Sequence, residues 1–201
     1  MANNCSQNVE LSGNVMHLVN STVQIYTGTT SGRSNGGKEG GGSNGGRGNG
    51  HVNTEIISLR WVHCTGRDAL PAGAVLAGED PDGDLLYVGR AYHDDNQLPA
   101  KVVPGKGFAV VSNAGQVVRK ESFEVLCCGK VSWVRPEHGS VIPPKAIIGG
   151  RTSTGEALYI GRGYSPVKLM MGKIVPREQT LYIAYGGWEY PTTQYEYLVE
   201  G

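Results

Sequence analysis

An aspartate and a lysine 21 positions apart are the residues of this sequence best suited to bind a polar ligand. Asp80 lies in the turn-forming run GEDPDG, and Lys101 follows a strand-like segment. A carboxylate accepts hydrogen bonds from two neighbouring hydroxyls while an ammonium donates to a ring or hydroxyl oxygen, which is one chemical solution for holding a sugar. A solvated ion pair, worth only about 0–1 kcal/mol, is the simpler interpretation of these two residues taken alone.

The segment that carries this pair occurs twice in the chain. Residues 78–101 read GEDPDGDLLYVGRAYHDDNQLPAK and residues 150–173 read GRTSTGEALYIGRGYSPVKLMMGK, so that equivalent positions are 72 apart. This repetition predicts one structural unit used twice. Lys101 recurs as Lys173, but Thr152 stands in place of the aspartate. We therefore expect an acidic and basic first site, and a second site at Lys173 and Thr152 that is weakened or altered.

Other polar residues shared by the two copies predict a structural frame. An arginine that directly follows Y-V-G or Y-I-G in a strand is commonly braced by a glutamate. A binding surface made by the same residues is the alternative, and we favour the frame for the arginines. The frame residues are Tyr87, Arg90 and Glu124 in the first copy and Tyr159, Arg162 and Glu196 in the second.

Residue combinations that would support catalysis or metal binding are less specific in this sequence than the pair of Asp80 and Lys101. His63, His93 and His138 have no histidine at their equivalent repeat positions, and a catalytic histidine needs a nucleophile and an orienting acid beside it. Two G-x-S-x-G strings fall in a glycine run, which cannot supply the strand and helix of a nucleophile elbow. The run DPDGD lacks the spacing and final glutamate of an EF-hand, so turn chemistry is favoured over calcium. We expect no enzyme, no metal and no other cofactor.

The composition restricts the partners and the compartment. The 201 residues carry no formal net charge and the isoelectric point is about 7.0, so no general attraction to nucleic acid is expected. The first residues lack the charged and apolar regions of a secretory signal, and no apolar run has the length of a membrane span. We therefore expect a cytoplasmic protein with reduced cysteines and without membrane insertion.

The chain divides into an N-terminal extension and a repeat domain. Residues 1–55 contain weak apolar alternation and a Gly-, Ser- and Asn-rich linker at 27–53, whose composition predicts flexibility. Beyond it, short apolar runs alternate with turn signals and show no long helical periodicity. We predict an all-β domain at 56–201, in which antiparallel sheets from copies at 61–128 and 133–199 pair about a pseudo-twofold axis.

A set of motifs recurs from about Trp61 to Val199. It comprises W-V at the start of each copy, L-Y-V/I-G-R in its middle, G-K-I-V-P at 172–176, where the first copy has A-K-V-V-P at 100–104, and A-Y-G-G-x-E at residues 184–189. Together the motifs resemble the tandem DM-nine repeat of invertebrate lectin-like proteins, which also heads natterin-type proteins. The first copy has SNAGQV at 112–117 in place of the last motif, so we expect the surroundings of the first site to have drifted. No aerolysin-like module is present, so pore formation is not expected.

The resemblance implies a function. Lectins of this family bind mannose-type glycans without a metal ion, through an Asp and a Lys that match Asp80 and Lys101. It implies one intact site and a doubtful one at Lys173 and Thr152. We expect a mannose-binding lectin for pattern recognition in innate immunity, made multivalent by the duplication or by a homodimer. The alternative is an intracellular stress- or infection-responsive interaction protein with a vestigial sugar pocket.

Overall fold

The structure is a computed structural model that describes residues 58–136 and 141–201. Regular structure in these residues is almost entirely β-strand, with two short 3₁₀ turns at Pro104–Lys106 and Pro176–Glu178. The predicted all-β antiparallel fold is therefore confirmed. No helix in this part of the chain is long and apolar enough to cross a membrane. The N-terminal extension and its linker lie outside the described residues.

Fourteen strands in the described residues make up the two copies, with seven in each. The first copy contains β1 Arg60–Thr65, β2 Leu76–Glu79, β3 Leu85–His93, β4 Asn96–Val103, β5 Phe108–Asn113, β6 Gln116–Lys120 and β7 Ser122–Cys127. The second copy contains β8 Val131–Val134, β9 Ile148–Arg151, β10 Ala157–Tyr164, β11 Leu169–Val175, β12 Thr180–Tyr185, β13 Trp188–Thr192 and β14 Tyr195–Glu200. Each strand of the second copy is the repeat equivalent of the strand seven places earlier.

Twelve of these strands form one hydrogen-bonded path that is symmetric about its middle, while β2 pairs with β3, and β9 with β10 and β4, beside the path. The order is β1-β7-β3-β4-β5-β6 and then β13-β12-β11-β10-β14-β8. The second half is the first half in reverse, with every strand replaced by its equivalent, which is the pattern that a twofold axis between β6 and β13 produces. At this central contact Gln116 pairs with Trp188, and these two residues occupy equivalent positions of the repeat.

The two copies share their hydrophobic cores. One buried cluster joins Leu86 and Val88 of β3 to Ile160 of β10, and a second joins Val111 of β5 to Leu158 of β10. Separating the copies would expose both clusters to water, and apolar burial is the dominant favourable contribution to folding. The copies therefore stabilise each other.

The candidate lysines lie on strands at the centre of this arrangement. In the strand registers, Lys101 of β4 lies opposite Val110 of β5, and Lys173 of β11 lies opposite Tyr182 of β12. Both lysines are buried. Because an ammonium group removed from water must find hydrogen-bond acceptors, each lysine needs polar partners inside the fold.

The glycine of the repeated L-Y-V/I-G-R motif is required by close strand packing. A Cβ on Gly89 would lie 2.4 Å from Cγ2 of Val102 and 2.8 Å from the carbonyl oxygen of Glu124. We predict that Gly89→Ala lowers the free energy of unfolding by about 1–3 kcal/mol, because overpacking forces neighbouring groups apart. Urea denaturation measures this, with Gly105→Ala as the control, since a Cβ there meets only Asp84 at 3.5 Å. Equal stabilities of the two variants would contradict the packing argument.

Candidate functional site

A cavity of 620 Å³ is lined by residues of both copies. Its size is that of sites for small ligands. Asp80 and Lys101 both line it, so the structure brings the two residues of the predicted first site into one cavity. Lys106 and Arg119 add further charge, and residues 185–187 of the β12–β13 hairpin come from the second copy. The apolar part of the wall consists of Leu86, Val103, Phe108, Val110 and Val117.

Lys101 reaches from the first copy to a backbone carbonyl of the second. Its Nζ donates a hydrogen bond to the carbonyl oxygen of Ala184. Burial lowers the pKa of Lys101 to about 8, with Asp80 acting in the opposite direction and Lys106 adding to the decrease. Among the described residues, no carboxylate forms an ion pair with Lys101 within 4.0 Å. The ammonium can therefore donate to a further acceptor in the cavity.

Asp80 organises the turn between β2 and β3. Its Oδ1 accepts hydrogen bonds from the backbone N–H groups of Asp82 and Asp84, both at 2.9 Å. Its Oδ2 accepts from Nζ of Lys106 at 2.9 Å. Burial opposes ionisation of Asp80, but Lys106 and the two backbone donors outweigh burial and hold the pKa of this carboxyl below its usual value. The carboxylate is therefore charged and oriented, and of its roughly four acceptor positions one on Oδ2 remains unused by these donors.

Three aspartates of this turn converge on the ammonium of Lys106. Nζ of Lys106 lies 2.9, 3.0 and 2.8 Å from Oδ2 of Asp80, Asp82 and Asp84, respectively. Carboxylates this close together also fit a metal ion. However, the lysine ammonium already lies among them and offsets one of their three negative charges. We therefore assign Asp82 and Asp84 to the structure of the turn.

The second-copy lysine is paired with a carboxylate of its own chain. Nζ of Lys173 donates to the carbonyl oxygen of Ser112 at 2.9 Å and to Oε1 of Glu189 at 3.0 Å. Oε2 of Glu189 accepts from the backbone N–H of Gly115 at 2.6 Å. Both charged side chains are buried, and the ring centre of Tyr182 lies 5.5 Å from the ammonium. The chain itself thus supplies the acceptors that Lys173 needs.

Thr152 is not one of these acceptors. Its hydroxyl accepts from the backbone N–H of Glu156 at 3.0 Å and lies 2.9 Å from the hydroxyl of Thr154. It therefore fills, in the second turn, the role that Oδ1 of Asp80 fills in the first. The structure places Thr152 in a turn and gives Lys173 other partners, so the predicted pairing of these two residues is not seen.

The structure corrects part of the expected assignment of hairpins to sites. We expected the drifted segment 112–117 to surround the first site, and Val117 of this segment does line the cavity. Residues 184–187 of the intact A-Y-G-G motif also reach the first site, however, while residues 112 and 115 reach the second. The reason is that each lysine crosses the twofold axis to the hairpin of the other copy. Sequence reasoning passed over Glu189, although its repeat equivalent, Val117, marks a difference between the copies.

The predicted frame residues lie away from the cavity. Arg90 donates from Nε to Oε2 of Glu124 at 2.7 Å and from Nη2 to Oε1 at 3.1 Å. Its guanidinium lies 4.2 Å from the ring centre of Trp61. Tyr87 and Tyr159 pack against the hydrophobic clusters. The equivalent brace in the second copy consists of Arg162, Glu196 and Trp133.

Fold and site together define a class of protein: a tandem-repeat β domain with a polar cavity built from both copies. The family model described as the DM9 repeat matches residues 80–192, which is more than half of the chain. The chain therefore belongs to the DM9 repeat family, in agreement with the resemblance of its motifs. A search of curated proteins found no match.

Solved structures show the same architecture. The crystal structure of the nematode sperm cell motility protein MFP2B matches with a TM-score of 0.57 and 16% sequence identity, over 72% of this chain. The match spans 47% of that protein, so this chain corresponds to about half of its length. At this identity the similarity establishes the fold alone.

We predict that Lys106→Met lowers the melting temperature at pH 7, because it leaves three neighbouring carboxylates without their counter-charge. The folded-state pKa of Asp80 is depressed, so its contribution to stability is present above the unfolded pKa of about 3.9 and is lost as the pH falls through the folded value. The difference in melting temperature between Lys106→Met and the wild type should therefore become smaller in acid. Thermal unfolding across pH measures it, with exposed Lys130→Met as the control. A difference independent of pH would contradict the charge argument.

We predict that Glu189→Val destabilises the protein by about 3–5 kcal/mol, because it removes one partner of a buried ion pair. The double variant Lys173→Met/Glu189→Val should recover most of this loss, since it buries no uncompensated charge. Chemical denaturation of the two variants and the wild type measures the coupling. Equal stabilities of the single and double variants would show that the pair is not coupled.

Proposed function

We propose that this protein binds carbohydrate in the cavity lined by Asp80 and Lys101, as a metal-independent lectin for mannose-type glycans. The observation that carries the proposal is one cavity that holds both a charged acceptor and a charged donor. Membership of the DM9 repeat family supports it, since the motifs resemble those of lectin-like members. Binding rather than catalysis is proposed.

The walls of the cavity match the chemistry of a sugar. Hydroxyls on the edge of a sugar ring would donate to Asp80 and accept from Lys101. The C–H groups on the face of the ring would contact apolar walls such as Phe108. Trp188 directly follows Gly187 of the wall and is 73% exposed, so an aromatic ring is available beside the hairpin.

The second lysine limits the proposed number of sites. Because Lys173 is paired with Glu189, we propose one sugar site per chain. Single sugar sites are weak, and recognition of a glycan-coated surface requires several sites held together. We therefore propose that the lectin acts as a homodimer or larger assembly, in pattern recognition.

A second candidate function is protein interaction, as a stress- or infection-responsive protein. Tyr92 and Tyr164 occupy equivalent positions at the ends of β3 and β10 and are 65% and 64% exposed. Aromatic residues are enriched in protein interfaces, so this pair favours a contact surface.

We predict that Asp80→Thr weakens glycan binding tenfold or more, because a charged acceptor is lost. The fold should persist, since Thr152 supports the equivalent turn with its hydroxyl. Isothermal titration calorimetry with mannotriose in the presence of EDTA measures affinity and stoichiometry, which we expect to be about one sugar per chain.

Thr152→Ser is the matched control and should bind as the wild type does. Wild-type affinity in Asp80→Thr, or loss of binding in EDTA, would contradict the proposed site. If the wild-type protein binds no glycan at all, protein interaction becomes the better proposal.

A further inference from the structure

The second lysine site shows what the fold does with a carboxylate. There, the carboxylate of Glu189 bridges Nζ of Lys173 and the backbone N–H of Gly115, at 3.0 and 2.6 Å. An ammonium and a turn N–H together form a two-point receptor for one carboxylate group. Because the chain is a tandem repeat, the same receptor should exist in the first copy.

The first site retains the receptor but not the carboxylate. Lys101 donates to the carbonyl oxygen of Ala184, the repeat equivalent of Ser112. Gly187 is the equivalent of Gly115, and the two glycines have similar backbone angles, with φ of 89° and 81°. The residues before them, Ala114 and Gly186, also match, with φ of 50° and 59°. The two turns thus have the same backbone form, which places the N–H of Gly187 in the role of that of Gly115, and Gly187 lines the cavity. At the position of Glu189, however, the first copy has Val117.

The charges of the first site favour an anion. Arg119 lines the cavity with its guanidinium 4.6 Å from the ring centre of Phe108. In the described part of the chain, neither Arg119 nor Lys101 has a carboxylate within 4.0 Å. Lys106, by contrast, is already matched by the three aspartates of the turn. Two cations without a carboxylate partner thus face the cavity.

We propose that the ligand of this cavity is an acidic sugar, whose carboxylate takes the position at Lys101 and Gly187 that Glu189 takes in the second copy. This inference rests on the proposed function, that the cavity binds carbohydrate, and specifies the class of sugar. A hexuronate has the required groups, with a carboxylate at one end of the ring and hydroxyls along its edge.

Asp80 explains why the ligand is an acidic sugar and not a carboxylate alone. Its charged carboxylate lines the same cavity and would repel a simple anion such as acetate. A hydroxyl of the same ligand, by contrast, can donate a hydrogen bond to Asp80 and offset this repulsion. A ligand with both a carboxylate and hydroxyls satisfies the cations and Asp80 together.

The test compares D-mannuronate with D-mannose, which differ only at the carbon that carries the carboxylate. Calorimetric titration of the wild-type protein should show D-mannuronate binding about tenfold more tightly, since charge-assisted hydrogen bonds are about twice as strong as neutral ones. Acetate serves as a probe of the carboxylate alone and should bind far more weakly than D-mannuronate.

The titration results distinguish a failure of the acidic-sugar inference from a failure of the lectin proposal. Equal or tighter binding of D-mannose would overturn the acidic-sugar inference and leave the lectin proposal standing. Absence of binding by both sugars would overturn both. Acetate that binds as well as D-mannuronate would show a carboxylate site that ignores sugar, so a peptide carboxylate would become the better ligand class.

The variant Val117→Glu locates the site, because it introduces the carboxylate that Glu189 supplies in the second copy. We expect it to remain folded, to pair with Lys101 and to lose D-mannuronate binding at least tenfold. Gln116→Glu adds the same charge at the neighbouring exposed position and should bind normally. Unchanged binding by folded Val117→Glu would overturn the proposed position.

A measurement on the wild-type protein keeps the inference testable if that variant does not fold. The amide signal of Gly187 in a proton–nitrogen NMR spectrum should shift downfield on titration with D-mannuronate and much less with D-mannose, because only the former places an anionic acceptor at this N–H. A Gly187 signal that does not respond to bound D-mannuronate would contradict the geometry.

Discussion

A buried ammonium must find acceptors, and two of them lie at the junction of the repeated halves of this fold. Each lysine extends from a central strand of one copy to a hairpin carbonyl of the other, Lys101 to Ala184 and Lys173 to Ser112. These contacts join the two copies and set the positions of the β5–β6 and β12–β13 hairpins. Burying a charge is costly unless it is well paired. The remaining partners of each lysine therefore determine whether its site is filled by a carboxylate of the chain or is open to a ligand.

Two substitutions between the copies give the two lysines different surroundings. In the second copy, Glu189 pairs with the lysine and Tyr182 lies against it, so that site contributes to the stability of the domain. In the first copy, the equivalent residues are Val117 and Val110, which are smaller and uncharged and line the cavity. Duplication therefore allows Lys173 to form an ion pair that stabilises the junction of the copies. Lys101, which has no such partner among the described residues, is the lysine of the proposed ligand site.

The sequence predicts the parts of this arrangement that depend on local pattern. The exact offset of the two copies, the alternation of short apolar runs and the glycines at turns are sufficient for an all-β fold of two equivalent halves. Asp80 and Lys101, which the resemblance to DM-nine repeats implies as one site, line the same cavity. The contacts between copies could not be predicted, because the pairing of β6 with β13 brings distant residues together. For that reason local sequence patterns predict neither the role of Glu189 nor the contact of each lysine with the hairpin of the other copy.

The most direct test of one ligand site built from both copies is a crystal structure of the protein grown with saturating D-mannuronate. The account predicts electron density for the sugar between Asp80 and Lys101, with its carboxylate at the N–H of Gly187, and an unchanged ion pair between Lys173 and Glu189. Sugar bound at Lys173, with Glu189 displaced, or sugar bound away from both lysines, would contradict it.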